Sequence, residues 1–176
     1  MAAESTETVA TKKKAELIAG IDQTWATLEA ALAATSEEMS TTVGRDGWSV
    51  KDHLAHIEGW ERFLLAVLAR QSPSGAIGID LGTLRSTDDD TLNELLVGPT
   101  RAQSLAQVMG NLRQTRQRLL AVVAALPDAD LERLAAEYQP EELDGDTDSI
   151  AGWVYHICDE HLQDHIGWIK EISSSS

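Results

Sequence analysis

Apolar positions recur every three or four residues along nearly the whole chain, the spacing of one helix face. From Thr11, read as an N-cap, Leu17, Ile18, Ile21, Trp25, Leu28 and Leu32 keep that period, although Lys12, Lys13 and Lys14 oppose the dipole there. The pattern fades near Ala34 and Thr35; Ser36-Glu37-Glu38 reads as a turn and Gly44-Arg45-Asp46-Gly47 as a loop. A second helix opens at Ser49, with Asp52 in the capping-box position, and carries Val50, Leu54, Ile57, Leu64, Leu65 and Leu68. It stops before Pro73. Residues 71–90 read as a loop containing Gly75, Gly78, Gly82 and the acidic run Asp88-Asp89-Asp90, and a short helix through Leu92, Leu95 and Leu96 ends at Gly98-Pro99. A third long helix begins at Thr100 or Ser104 and is cut off by Pro127. Asp130 caps a short turn through Leu131 and Leu134, and residues 141–148 form a polar loop. The last helix starts near Ser149 and runs through Ile150, Trp153, Val154, Ile157, His161, His165, Trp168 and Ile172.

Four long amphipathic helices without a convincing strand predict an all-α four-helix bundle, a single domain over residues 11–172 with flexible tails at 1–10 and 173–176. The segment 71–99 exceeds an ordinary antiparallel connection, so one long crossover is expected.

Composition narrows the function. With 176 residues and 43% hydrophobic content the chain can build one ordinary core. Its 14 basic and 29 acidic residues give a net charge of −15, so it lacks the cationic face that nucleic acid requires. No apolar run approaches the ~20 residues that span a bilayer. Residues 1–10 are polar, without the apolar stretch of a secretory leader, and Cys158 is the only cysteine. A single thiol forms no intrachain disulfide, and cytoplasmic residence is the expectation.

The five histidines are grouped: His53 and His56 on the second helix, His156, His161 and His165 on the last. At ~100° per residue, His161 and His165 are only ~40° apart and project from one face on successive turns. That spacing lets two ring nitrogens reach one metal ion. Val154, Cys158 and Trp168 share the stripe, which reads as core-facing. His156 lies ~140° from the pair on an α-helical wheel, outside their reach. His156 and His53 read as surface or satisfied core histidines. His56 borders the apolar arc of its helix, stacked at helical spacing with Trp60, Phe63 and Val67. Unpaired buried imidazoles are costly, and a divalent cation resolves several at once by accepting a lone pair from each neutral ring. Other constellations are weaker. The glycines of 75–82 form no nucleotide cradle, no nucleophile elbow occurs, and Cys158 reads as a buried structural thiol. The tryptophans read as core fillers, Asp88–Asp90 as a solvated loop, and Arg113, Arg116 and Arg118 as a solvated helix face.

The stretch from Gly47-Trp48-Ser49 through His53-Leu54-Ala55-His56-Ile57 to Trp60-Glu61 resembles the second-helix signature of the DinB-like superfamily, and more narrowly its ClbS/DfsB branch. Leu126-Pro127-Asp128-Ala129-Asp130-Leu131 and the closing His161-Leu162-Gln163-Asp164-His165 with Trp168-Ile169 are similar to that branch as well. The resemblance spans about Lys13 to Ile172. It implies up-down-down-up connectivity, a homodimer, and a three-histidine site for zinc, nickel or another divalent ion, with His56, His161 and His165 as the metal ligands. It also implies chemistry of the kind found among thiol transferases and isomerases, with a low-molecular-weight thiol as cosubstrate.

The expectation is a metal-dependent enzyme acting on a small electrophilic molecule, by thiol transfer, thiol-assisted isomerisation or hydrolysis. The rival is a non-catalytic stress-protection or small-molecule-binding bundle. A third reading is a purely structural dimer module whose histidines are filled over by neighbouring side chains.

Overall fold

The structure is a computed structural model that describes residues 6–33, 35–45 and 47–174, so Ala34, Asp46 and the ends of both expected tails lie outside the described residues. The chain is all-α: its only extended pairings among the described residues are the isolated bridges Val43↔Ser49 and Leu134↔Ser149. No helix among them is long and apolar enough to cross a membrane.

The long elements are α1 (Thr6–Leu32), α2 (Val50–Leu68) and α6 (Leu105–Ala125), followed by a closing segment of α9 (Ile150–Tyr155), a π-helical turn (His156–Glu160) and α10 (His161–Ser174). Between α2 and α6 lie the short α3 (Pro73–Ile77), α4 (Leu81–Ser86) and α5 (Asp89–Val97); after α6 come α7 (Asp128–Leu131) and α8 (Ala135–Tyr138).

Local chemistry explains most of the starts. Ser49 and Ser104 each close a capping box, with Asp52 and Gln107 respectively, and the Ser149 side chain accepts the Gly152 N–H. Pro73 opens α3 behind its N-cap Ser72, and Asp80 caps α4, so helices occupy much of what the sequence reads as loop. Asp88 caps α5 while Asp89 and Asp90 fill its first turn, where carboxylates favour the dipole; the acidic run therefore begins a helix. Asp130 lies inside α7 rather than capping it. At the ends, α1 begins before Thr11 and α10 continues through Ser174.

Two buried clusters share the core. One gathers Leu28, Val50, Leu54, Ile57, Leu112, Leu162 and Ile169; the other gathers Ile21, Phe63, Leu64, Leu119, Ile150 and Val154. Each such side chain contributes roughly 1.5–3 kcal/mol by leaving water. The helix α2 runs through both clusters, and the polar residues on its inward face are held inside a rigid frame.

Arg116 departs from the expected solvated face. It is buried and paired with the buried Glu61 of α2, stacks on Trp25, and donates to the carbonyls of Ile21 at 3.0 Å and Cys158 at 3.3 Å. The second carbonyl belongs to the π-turn. On its other side, Asp159 accepts hydrogen bonds from Thr24 and from Gln163. Helices α1 and α6 thus tie down the π-turn.

Candidate metal centre

The N-cap serines of the two histidine-bearing segments are each drawn into an isolated bridge, Ser49 with Val43 and Ser149 with Leu134. Backbone bonds from Gly44 N–H to the Trp48 carbonyl (2.7 Å) and from Ile150 N–H to the Arg133 carbonyl (2.8 Å) reinforce them. Helix starts pinned this way fix the rotation at which His53 and His56, and later His161 and His165, leave their backbones.

The structure brings His56, His161 and His165 together. One ring nitrogen of each lies within 4.8 Å of the others. His56 Nε2 is 2.9 Å from His161 Nε2, which is 3.0 Å from His165 Nε2. Nitrogens bound to one ion at ~2.0–2.1 Å, at right to tetrahedral angles, are roughly 2.9–3.4 Å apart, so the spacing fits a shared cation. The donor chemistry fits as well. A neutral imidazole carries one N–H, and a single His161 Nε2 cannot satisfy two facing Nε2 atoms together, whereas one ion takes a lone pair from all three.

Burial keeps these rings uncharged. It lowers the His56 pKa to about 3, with the neighbouring His161 and His53 adding to the effect. It lowers His161 to about 4, helped by His156 and opposed by Asp164. His165 is pushed further down, again mainly by burial and then by His161, His56 and His53. Neutral rings have the lone pairs that a cation needs.

His53 is fully buried, and its Nδ1 lies 2.8 Å from His165 Nδ1. It is a core histidine satisfied by a member of the cluster, and so belongs to the cluster itself. Its signal was visible: it sits one turn before His56 on the same helix. Trp48 and Trp168 pack on these rings, with Trp48 5.0 Å from His56 and Trp168 4.9 Å from His165 between centroids. Trp168 is 43% exposed, so the stripe it shares with the pair is not wholly core-facing.

His156 is exposed and bonds Glu160, yet its ring stands 6.2 Å from that of His161. The wheel that separates them assumes α-helical spacing throughout. In the π-turn, the His161 N–H bonds the His156 carbonyl five residues back, and residues five apart come one above the other. Cys158 is buried, and burial pushes its thiol pKa well up, as befits a structural thiol.

Two clefts reach the cluster. A cavity of about 390 Å³ is lined by His56, His161 and His156 together with Trp60, Trp153, Ile157, Asn93, Asp89 and Asp148. A second, of about 480 Å³, is lined by all four clustered histidines between Trp48 and Trp168, with Asp90, Asn93 and Glu94 at its side. A cleft beside His161 counts against a purely structural module whose histidines are filled over by neighbouring side chains.

The sequence profile of the DinB superfamily matches residues 20–169. The fold is similar to that of an uncharacterised protein from Escherichia coli UTI89 known from a crystal structure, with a TM-score of 0.68, 15% identity, and coverage of 92% of this chain and 93% of that one. No curated protein matches the chain.

Proposed function

The chain belongs to the DinB superfamily, and on that premise we propose that it is a metal-dependent enzyme in which His56, His161 and His165 hold one divalent cation, zinc or nickel, beside a pocket for a small electrophilic molecule. One observation carries this reading: three uncharged imidazoles, two buried and one half-buried, from two separate segments meet at one point that two clefts reach.

A bound cation there supplies Lewis acidity toward a thiol, a water molecule or a carbonyl group. The chain's own residues do the rest. His165 keeps its Nδ1 side against His53, which fixes the ring's orientation and leaves Nε2 toward the shared point. Trp48 and Trp168 flank the cluster with apolar ring surface. His56 and His161 face the cavity in which a substrate can lie. Thiol transfer, thiol-assisted isomerisation and hydrolysis all suit this frame, and the DinB-like resemblance favours thiol chemistry. The same reading takes the long helices as a four-helix bundle of up-down-down-up connectivity, with residues 71–99 as its crossover, in a cytoplasmic homodimer of the ClbS/DfsB type.

The test is elemental analysis of protein purified without an affinity tag, repeated on His161→Ala. The expected result is one divalent ion per chain in the parent protein and its loss in the variant. Parent protein that binds no stoichiometric metal, even after incubation with zinc or nickel, overturns the proposal.

A further inference from the structure

The cavity of about 390 Å³ has a one-sided chemistry. Its apolar wall is made by Trp60 and Trp153, and its charged groups are the carboxylates of Asp89 and Asp148; neither a lysine nor an arginine lines it. The second cleft has no basic lining residue either. Glu94 there is already engaged by Arg101 at 2.9 Å and by the Trp48 N–H. The carboxylates of Asp89 and Asp148, by contrast, are exposed and have no hydrogen-bond or ion-pair partner among the described residues. Their helix and loop settings differ, Asp89 in the first turn of α5 and Asp148 just before the N-cap of α9. Two distant parts of the chain thus bring unspent negative charge to one opening. His56, 4% exposed, lines the same cavity, so the opening adjoins the histidine cluster.

A net charge of −15 adds a long-range field of the same sign. An indole face attracts a cation by about 0.5–1 kcal/mol at an exposed site, and a partly screened carboxylate pair gives a similar amount. Apart from the cation of the metal site itself, a carboxylate-rich molecule finds no lysine or arginine as countercharge in either cleft.

We propose that this cavity takes a small, amine-bearing ring compound, its ring packed on Trp60 and Trp153, its ammonium held by Asp89 and Asp148, and its reacting end toward His56 and His161. As the substrate class of the metal site, this rests on the metal reading above. It narrows that reading, because cosubstrates bearing several carboxylates are disfavoured.

The test is calorimetric titration of the full chain with 1-naphthylmethylamine and with 1-naphthylacetate, which share a ring and differ in the sign of their charge. The amine is expected to bind roughly tenfold more tightly, and the paired substitutions Asp89→Asn and Asp148→Asn to remove most of that preference. A control carrying Glu16→Gln and Glu132→Gln, which removes equal charge from exposed positions outside the cavity lining, is expected to keep it. Equal or tighter binding of the acid overturns the proposal, as does a preference that survives the aspartate changes or is lost equally in the control. Metal content is read on the same samples. Metal without the amine preference overturns this proposal alone, and the preference without metal overturns the metal reading alone.

Discussion

The Nδ1 atoms of His53 and His165 stand 2.8 Å apart between α2 and α10. Two facing imidazole nitrogens at that distance share one proton, so one donates and the other accepts. With its Nε2 given to the cluster, His165 carries its proton on Nδ1 and donates to His53. His53 is thereby a positioning residue. His53→Ala is expected to weaken zinc binding by about 10–100-fold while the helical circular dichroism is retained, and His53→Gln, which keeps an acceptor, to recover part of it. Competition with a chromophoric chelator checks this, and unchanged affinity in His53→Ala removes the outer role.

Arg116 is the second prediction. Its loss in Arg116→Met leaves the Glu61 carboxyl buried without its ion-pair partner and withdraws a donor from the Cys158 carbonyl. Removing one partner of such a pair costs about 3–5 kcal/mol, whereas replacing both by apolar residues is often neutral. Urea unfolding should show that loss in Arg116→Met and its recovery in the double variant Glu61→Leu with Arg116→Met. A double variant as unstable as the single one would mean that the bonds to Ile21 and Cys158, rather than the unpaired carboxyl, dominate.

These two residues mark what was legible in the sequence. The starts at Ser49, Ser104 and Ser149 were readable because capping is local chemistry between residues three apart. The pairing of His161 with His165 followed from helical period alone. What failed was the assumption of one period across 150–172. The π-turn depends on contacts from Arg116 and Thr24, which are distant in sequence, and no pattern within the segment announces it. His156 was consequently set on the far side of the helix, although its ring lies beside that of His161. Arg116 was read as solvated for a related reason: its partner Glu61 lies 55 residues away. The short helices of 73–86 were hidden by glycine and proline, which punctuate helices this brief as readily as they end long ones, whereas the helix through Leu92, Leu95 and Leu96 was legible.

The start of α2 sets the register of His53 and His56, which makes its cap a third point of test. Asp52 bonds the Ser49 backbone N–H at 3.0 Å and also takes Arg101 at 3.2 Å. Ser49→Ala is expected to lower stability by about 0.5–2 kcal/mol in thermal or urea unfolding. Ser49→Asp, which keeps an acceptor for the Asp52 N–H, places a second carboxylate beside Asp52 and is expected to restore less than Ser49→Thr.

The last prediction concerns pH and separates the neutral-ring argument from any other account of the cluster. In the metal-free chain His56 and His161 titrate near 3 and 4, against 6.5 when unburied. Between those values the unfolded chain binds more protons than the folded one, so stability falls as the pH drops below about 6.5, and the part contributed by these two rings is fully lost near 3. Glu61 works in the opposite direction. Burial raises its carboxyl above the usual range against the pull of Arg116, so its contribution is fully present below pH 4.5 and is lost as pH rises through its folded value. The two trends overlap, and substitution separates them: a variant with His56→Gln and His161→Gln should lose less stability on acidification from pH 6.5 than the parent chain does. The same neutrality governs metal uptake. Rings already deprotonated at pH 7 have no proton to surrender, so the heat of zinc binding should be the same in buffers of different ionisation enthalpy. A buffer-dependent heat, equivalent to a proton released per ion, would show that at least one of the three imidazoles is charged before the metal arrives.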